Sequence, residues 1–202
     1  MYYTQYNTSA VGGERDTILV ATSPNLRPGS WTQRGDIGLS IAFSKHSRID
    51  ANLILNPPSN LSSYARGLFG MRMASAMNLI CAEASLPSNP GPTDLNRTEG
   101  AFQYKNEDYF YFFYAKGNCC PASNAPEEDV YHVEVSRSIL VTRPYMSKGG
   151  LRCDTVEGGG GTQILARSAD RIVYSPCGVG VFDDVGAHLC WSAGAPYEPE
   201  SP

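Results

Sequence analysis

An all-β fold built from short strands is predicted by three features of the 202-residue sequence. Charged residues make up only 18% of the chain, which leaves too little Glu, Lys and Arg to clothe long helices. The 20 glycines and 14 prolines fall in clusters that separate short runs of β-branched and aromatic residues. One such run, Tyr109-Phe110-Tyr111-Phe112-Phe113-Tyr114, is aromatic at every position. Sandwich, barrel and propeller all fit this pattern, and composition does not choose among them.

Along the chain, Tyr2 to Tyr6 and the apolar run Thr17-Ile18-Leu19-Val20-Ala21-Thr22 predict a hairpin, with Gly12-Gly13 as its turn. Pro24, Pro28 and Gly29 break the chain before Trp31. Ile49-Asp50-Ala51-Asn52-Leu53-Ile54-Leu55 reads as the next strand, closed by Pro57-Pro58. Between 62 and 84 the pattern changes. Leu68, Met71, Ala74, Met77 and Ile80 recur at mostly three- and four-residue spacing among good helix formers, which predicts a short helix. A stretch rich in Pro, Asn and Gly, from Pro87 to Asn96, precedes Ala101-Phe102-Gln103-Tyr104 and the aromatic run. Aromatics on both faces of that run predict a strand covered on both sides. Further strands are expected at Val130 to Arg137, Gln163 to Ala166, Arg171 to Tyr174, Gly180 to Phe182 and His188 to Trp191, with Gly158-Gly159-Gly160-Gly161 as a flexible turn. The expected organisation is one domain over 1–195 and a disordered tail over 196–202.

Sixteen basic residues against twenty acidic ones give a net charge of -4 without a block of like charge, which argues against nucleic-acid binding and for a neutral partner. No apolar run is long enough to span a membrane, and the first residues lack the basic and apolar regions of a secretion signal. The six cysteines, Cys81, Cys119, Cys120, Cys153, Cys177 and Cys190, form no C-x-x-C pair, so disulfides are favoured over a zinc site. Sequons at Asn7, Asn60 and Asn96 point the same way, to an extracellular, glycosylated protein.

Two acids stand out by their setting. Asp50 opens an apolar strand, and Glu99 lies in Thr98-Glu99-Gly100-Ala101-Phe102, where a glycine follows the acid and a strand begins. Two carboxyl groups facing one sugar are what glycoside hydrolysis requires; the alternative role for each is to cap a backbone N–H in a turn. His46, His132 and His188 are scattered without a nucleophile motif, and the tetraglycine lacks the lysine of a phosphate loop.

Several segments, taken in order, resemble glycoside hydrolase family 43, most closely its fungal arabinan-degrading members. They are Val20-Ala21-Thr22-Ser23-Pro24-Asn25-Leu26 with Pro28-Gly29-Ser30-Trp31, read as an outer strand of the first blade, and Ile49-Asp50-Ala51-Asn52-Leu53, with Ala51 where proline is usual. Glu99-Gly100-Ala101-Phe102, the aromatic run, Gly117-Asn118-Cys119-Cys120, Ser136-Arg137-Ser138 and Thr142-Arg143-Pro144-Tyr145 match a third blade, and Gly160-Gly161-Thr162 to Val181-Phe182-Asp183-Asp184 a fourth. The resemblance spans the chain except about residues 60–97.

It implies a five-bladed β-propeller, incomplete here in that the first strand of blade one and most of blade five are missing. It implies hydrolysis, with inversion, of α-1,5-L-arabinofuranosidic bonds in arabinan, a plant cell-wall polysaccharide, by a secreted monomer without a cofactor. Glu99 matches the general acid. Asp50 matches the aspartate that tunes it, since a neighbouring carboxylate disfavours ionisation of an acid. The general base has no counterpart; the chain begins after the strand that carries it, and Asp16 and Asp36 sit in no matching motif. No metal is expected either, because Pro176-Cys177-Gly178-Val179-Gly180 occupies the region where many members place a histidine near an ion. A rival expectation is a carbohydrate-binding remnant that keeps Asp50 and Glu99 without turnover; another is an interaction scaffold.

Overall fold

The computed structural model describes residues 1–6, 16–37, 49–54, 60–64, 67–71, 73–75, 78–79, 84–85, 98–119, 125–141, 144–153, 160–184 and 187–195. The predicted turn at Gly12-Gly13, the 87–96 stretch, Gly158-Gly159 of the tetraglycine and the 196–202 tail lie outside these residues, as do Asn7, Asn96, His46, Cys81 and Cys120.

Alternation along the first hairpin sets its pairing. β1 (Tyr2–Tyr6) runs antiparallel to β2 (Asp16–Thr22), with Tyr2 opposite Val20 and Tyr6 opposite Asp16. Ile18 and Val20 share one face of β2 and are buried, as a half-buried strand requires. β3 (Thr32–Asp36), exposed at every position, pairs with the far side of β2. Val20-Ala21-Thr22 therefore lies in the middle strand of the first sheet, not at its outer edge.

The second sheet corrects the predicted helix. β4 (Ile49–Asn52), β5 (Asn60–Tyr64), β6 (Gly67–Met71) and β9 (Ala84–Ser85) form it in that order, and β7 (Met73–Ser75) pairs with β8 (Asn78–Leu79) beside it. Leu68, Met71 and Ala74 thus sit in strands; Met77 and Ile80 lie outside the described residues. β5 and β6 pack against the strand that follows the second sheet, and tertiary contact of this kind outweighs local helix propensity.

That strand is β10 (Thr98–Asn106), first of a four-stranded antiparallel sheet with β11 (Tyr109–Lys116), β12 (His132–Ser138) and β13 (Thr162–Leu165). The aromatic run behaves as predicted: Phe110, Phe112 and Tyr114 are buried on one face of β11, and Tyr109, Tyr111 and Phe113 are half-buried on the other. β13 pairs with β12, so Thr162 belongs to the third sheet and not to the fourth. The fourth sheet holds β14 (Ser175–Asp184) and β15 (Ala187–Ala195).

The strand expected from Arg171 to Tyr174 is instead a turn. Asp170 accepts from the Ile172 N–H at 3.1 Å, Ser168 accepts from the Arg171 N–H at 2.9 Å, and Arg171 adopts a φ of 59°. Short polar side chains that bond the local backbone draw it out of the strand state.

Each sheet packs on the next in chain order: β1 and β2 against β4, β4 to β6 against β10, and β10 to β12 against β14. Each of the three seams owns one hydrophobic cluster. Ile18, Val20 and Ile37, with Tyr2 and Ala51, fill the first. Ile54, Ala101, Phe110, Phe112, Tyr114, Tyr145 and Cys153 fill the second. Val133, Val179 and Val181, with Phe102, Tyr104 and Phe113, fill the third.

Phe112 is fully buried in the second seam, with its ring centroid 5.3 Å from that of Tyr145 and 5.7 Å from that of Tyr114. Phe112→Ala is expected to cost about 3–5 kcal/mol of unfolding free energy. Ile172→Ala, at a residue 84% exposed, should change stability by less than about 0.5 kcal/mol. Urea unfolding midpoints of the two variants check both.

Candidate active site

Asp50 lies in β4 and Glu99 near the start of β10, on strands facing each other across the second seam. Both strands are kinked there. The β4–β5 register slips between Ile49 and Asn52, and the β10–β11 register slips between Glu99 and Phe102. At these bulges Asp50 has a φ of 54° and Gly100 a φ of 61°. A bulge frees backbone groups from the ladder and turns side chains to new directions.

The consequence is a direct link between the two strands. The Gly100 N–H donates to Asp50 Oδ2 at 3.3 Å, and the Gln103 N–H donates to Asn52 Oδ1 at 3.1 Å. Asp50 and Asn52, two residues apart on β4, thus take N–H groups on either side of the β10 bulge. Gln103 is buried, and its side-chain amide donates to the Val141 carbonyl at 2.7 Å and to the Tyr145 hydroxyl. The structure therefore places Asp50 beside Gly100, within reach of the charge of Glu99.

Asp50 presents surface to solvent, yet neighbouring atoms strip enough water from its carboxyl to raise the pKa above the ordinary 3.8. The Gly100 N–H pulls the other way, and the negative charge of Glu99 adds to the rise. Glu99 is half-buried and accepts a hydrogen bond from the Tyr131 hydroxyl. Tyr131 is itself 3% exposed, and its pKa is pushed far above 10.0 by burial first and then by its bond to Glu99, with smaller contributions from the Cys119 and Cys177 sulfurs. Nothing in Val130-Tyr131-His132 marked this tyrosine in the sequence.

A third bulge repeats the geometry. β14 slips against β15 between Cys177 and Val179, and Gly178 has a φ of 63°. A Cβ built on Gly100 would lie 3.3 Å from the Gly178 nitrogen, so glycine at 100 is what lets β14 approach. Pro176 is buried, and Gly178 and Gly180 carry no side chain. Among the described residues no group of three or more His, Cys, Asp or Glu side chains is placed to hold a metal.

His132 serves a second polar cluster in the third sheet. Glu134 accepts from the Tyr114 hydroxyl at 2.8 Å and the Gly161 N–H at 2.7 Å, with Lys116 and His132 each at 3.4 Å. Burial alone would raise the Glu134 pKa; the His132 bond, the Lys116 charge and the Tyr114 and Gly161 donors together reverse that and leave it below 4.5. His188 lies in β15. Asp36 accepts from the Thr17 hydroxyl, and Asp16 sits opposite Tyr6. A cleft of about 390 Å³ lined by Tyr111, Arg137, Met146, Lys148 and Ile164 lies elsewhere on the third sheet and includes neither Asp50 nor Glu99.

Residues 1–155 match the sequence profile of glycosyl hydrolases family 43. The chain belongs to that family. Among curated family relatives, the arabinan endo-1,5-alpha-L-arabinosidase A of Aspergillus niger is 32% identical over 190 residues, and that of Aspergillus aculeatus 31% identical over 189. Each alignment takes in 91% of this chain, and the chain spans 57% of the length of each relative. Among solved structures, an exo-1,5-alpha-L-arabinanase from a bovine ruminal metagenomic library superposes with a TM-score of 0.76 at 21% identity. The Cellvibrio cellulosa alpha-L-arabinanase, solved with arabinohexaose, superposes with 0.72 at 20% identity. Both alignments cover 96% of this chain and 64% of the other. The fold is the family's five-bladed propeller type, and the four successive sheets are blades of it.

The two shifted carboxyls predict opposite pH slopes. Asp50 titrates higher folded than unfolded, so the folded state loses stability as pH rises from about 3.8 through its folded pKa. Asp50→Asn, which keeps an acceptor for Gly100 and tolerates the positive φ, should raise the melting temperature at pH 7 by a small margin, under about 1 kcal/mol given solvent screening. That gain should vanish below about pH 3.8. Glu134 titrates lower folded than unfolded, so its contribution is present above about 4.5 and is lost as pH falls through its folded pKa. Glu134→Gln should destabilise at pH 7 by about 1.5–3 kcal/mol, with the deficit shrinking as pH falls through that range. Thermal unfolding of both variants between pH 3 and 7 checks the two slopes.

Proposed function

We propose that this protein hydrolyses α-1,5-L-arabinofuranosidic bonds of arabinan with inversion, Glu99 acting as general acid and Asp50 tuning and orienting. One observation carries the reading: two carboxyl groups from adjacent blades meet at one seam, in a chain whose curated relatives are named as arabinan endo-1,5-alpha-L-arabinosidases. In the reaction Glu99 gives its proton to the leaving glycosidic oxygen while a base activates water on the opposite face. Asp50, partly desolvated beside Glu99, orients the sugar in this reading. Neither Asp16 nor Asp36 is assigned as the base.

The same reading takes the protein as secreted and glycosylated, on the sequons and the six cysteines, and as acting on cell-wall polysaccharide as a monomer. The endo mode is supported by relatives at 31–32% identity carrying that name.

The test is release of oligosaccharides from linear arabinan, with anomeric configuration followed by NMR. Glu99→Gln keeps the shape but removes the proton, and should lower the rate by about 10²–10⁴. Unchanged activity in Glu99→Gln would overturn the assignment of the acid. Arabino-oligosaccharide binding without turnover in either form would support the carbohydrate-binding alternative.

A further inference from the structure

We infer that Tyr131 is the positioning residue of the general acid: its hydroxyl fixes one oxygen of the Glu99 carboxyl and leaves the other to carry the proton that is delivered to the sugar. The inference rests on the reading of Glu99 given above and extends it to a residue outside any motif.

Tyr131 is firmly held. Gly117, at the end of β11, has a φ of 111°, and a Cβ there would fall 2.7 Å from the Val130 carbonyl oxygen, so the two chain segments touch backbone to backbone. The Asn118 N–H donates to the Asp129 carbonyl at 2.8 Å, and the Tyr131 N–H donates to the Asn118 carbonyl at 3.0 Å. Next along, the Ser175 hydroxyl donates to the Cys119 carbonyl at 2.9 Å and ties this corner to β14. Tyr131 is thus anchored by its own backbone immediately before β12, with a ring almost wholly buried.

Its hydroxyl meets Glu99 Oε2. Glu99 is the last residue paired with β11 before the bulge, and it is only half-buried. A carboxyl so placed has several rotamers open to it unless something binds it, and holding one of them costs side-chain entropy. The Tyr131 phenol supplies a fixed donor, and burial keeps that phenol protonated throughout the range in which a glycosidase works. With Oε2 engaged, the proton of the neutral acid resides on Oε1. During bond cleavage that proton moves from Oε1 to the glycosidic oxygen as the bond between that oxygen and the anomeric carbon breaks. Tyr131 keeps its own proton and donates to the carboxylate that is left, an interaction that strengthens as charge develops.

The variant Tyr131→Phe removes one oxygen and retains the ring. On linear arabinan, whose leaving alkoxide must be protonated, kcat should fall about 10- to 100-fold, the range for a hydrogen bond to a charged group, with KM within about twofold. On an arabino-oligosaccharide with a 4-nitrophenyl leaving group, which departs without a proton, kcat should fall less than about threefold. Equal losses on both substrates, or none on arabinan, would overturn the proposal, since a merely structural role would not separate them. Crystal structures of the parent and the variant give a readout that needs no turnover. Glu99 should occupy one position in the parent and a different or divided one in Tyr131→Phe; an unmoved Glu99 would also overturn it. Should the parent cleave neither substrate, the functional reading fails, and the crystallographic comparison still decides whether Tyr131 positions Glu99.

Discussion

The bulge in β10 is the constraint on which the rest of the molecule depends. β10 is the strand that touches both the second and the fourth sheets, and its side chains divide between them. Ala101 joins the cluster against the second sheet, whereas Phe102 and Tyr104 join Val179 and Val181 of the fourth. An uninterrupted ladder would commit the Gly100 N–H to β11. The bulge releases it to Asp50, and the absence of a side chain at 100 admits β14 on the other side. Three sheets therefore meet at a single residue, and Glu99 is the residue before it.

Much of this was legible in the sequence, for reasons that can be stated residue by residue. β11 was evident because aromatic residues favour strands and an unbroken run of them supplies a side chain to cover each face. Asp50 and Glu99 drew notice as candidates because each acid stands beside a strand start. The second sheet was misread because Leu68, Met71 and Ala74 satisfy a helical period and include fair helix formers; β6, which carries Leu68 and Met71, packs instead against β10, about thirty residues away, and β7, which carries Ala74, pairs with β8. The turn at 168–173 was misread because Ile172-Val173-Tyr174 looks like a β segment, while the decisive groups are the side chains of Ser168 and Asp170. Tyr131 was invisible for a different reason. Its importance comes from an oxygen that reaches a residue 32 positions earlier, and no local pattern encodes that.

Polar groups in this protein are buried mainly where they fix a corner. Glu134 shows the logic: one carboxylate collects Tyr114 from β11, a lysine, a histidine and the Gly161 N–H, and so ties the chain entering β13 to the middle of its sheet. Gly160 is squeezed against the same group, since a Cβ there would come within 2.5 Å of Glu134 Oε2. The seams between sheets, by contrast, are mostly apolar among the described residues; one polar exception, Asn52 with Gln103, lies near Asp50 and Glu99, and another, Tyr104 with Asp183, crosses to the fourth sheet. A hydrogen bond across a seam fixes register, which apolar contact alone does not, and register is what a pair of carboxyl groups on different strands needs.

Asp50, Gly100 and Gly178 stand at the same kink of three successive blades, with φ values of 54°, 61° and 63°. One of these three is an aspartate and two are glycines, although the backbone asks the same of each. The frame is thus a repeated unit and the chemistry is an inscription upon it, written in a different letter on each blade. Division of labour among blades needs no new backbone, only a choice at one position of whether to carry a functional group or to leave room for the neighbour's.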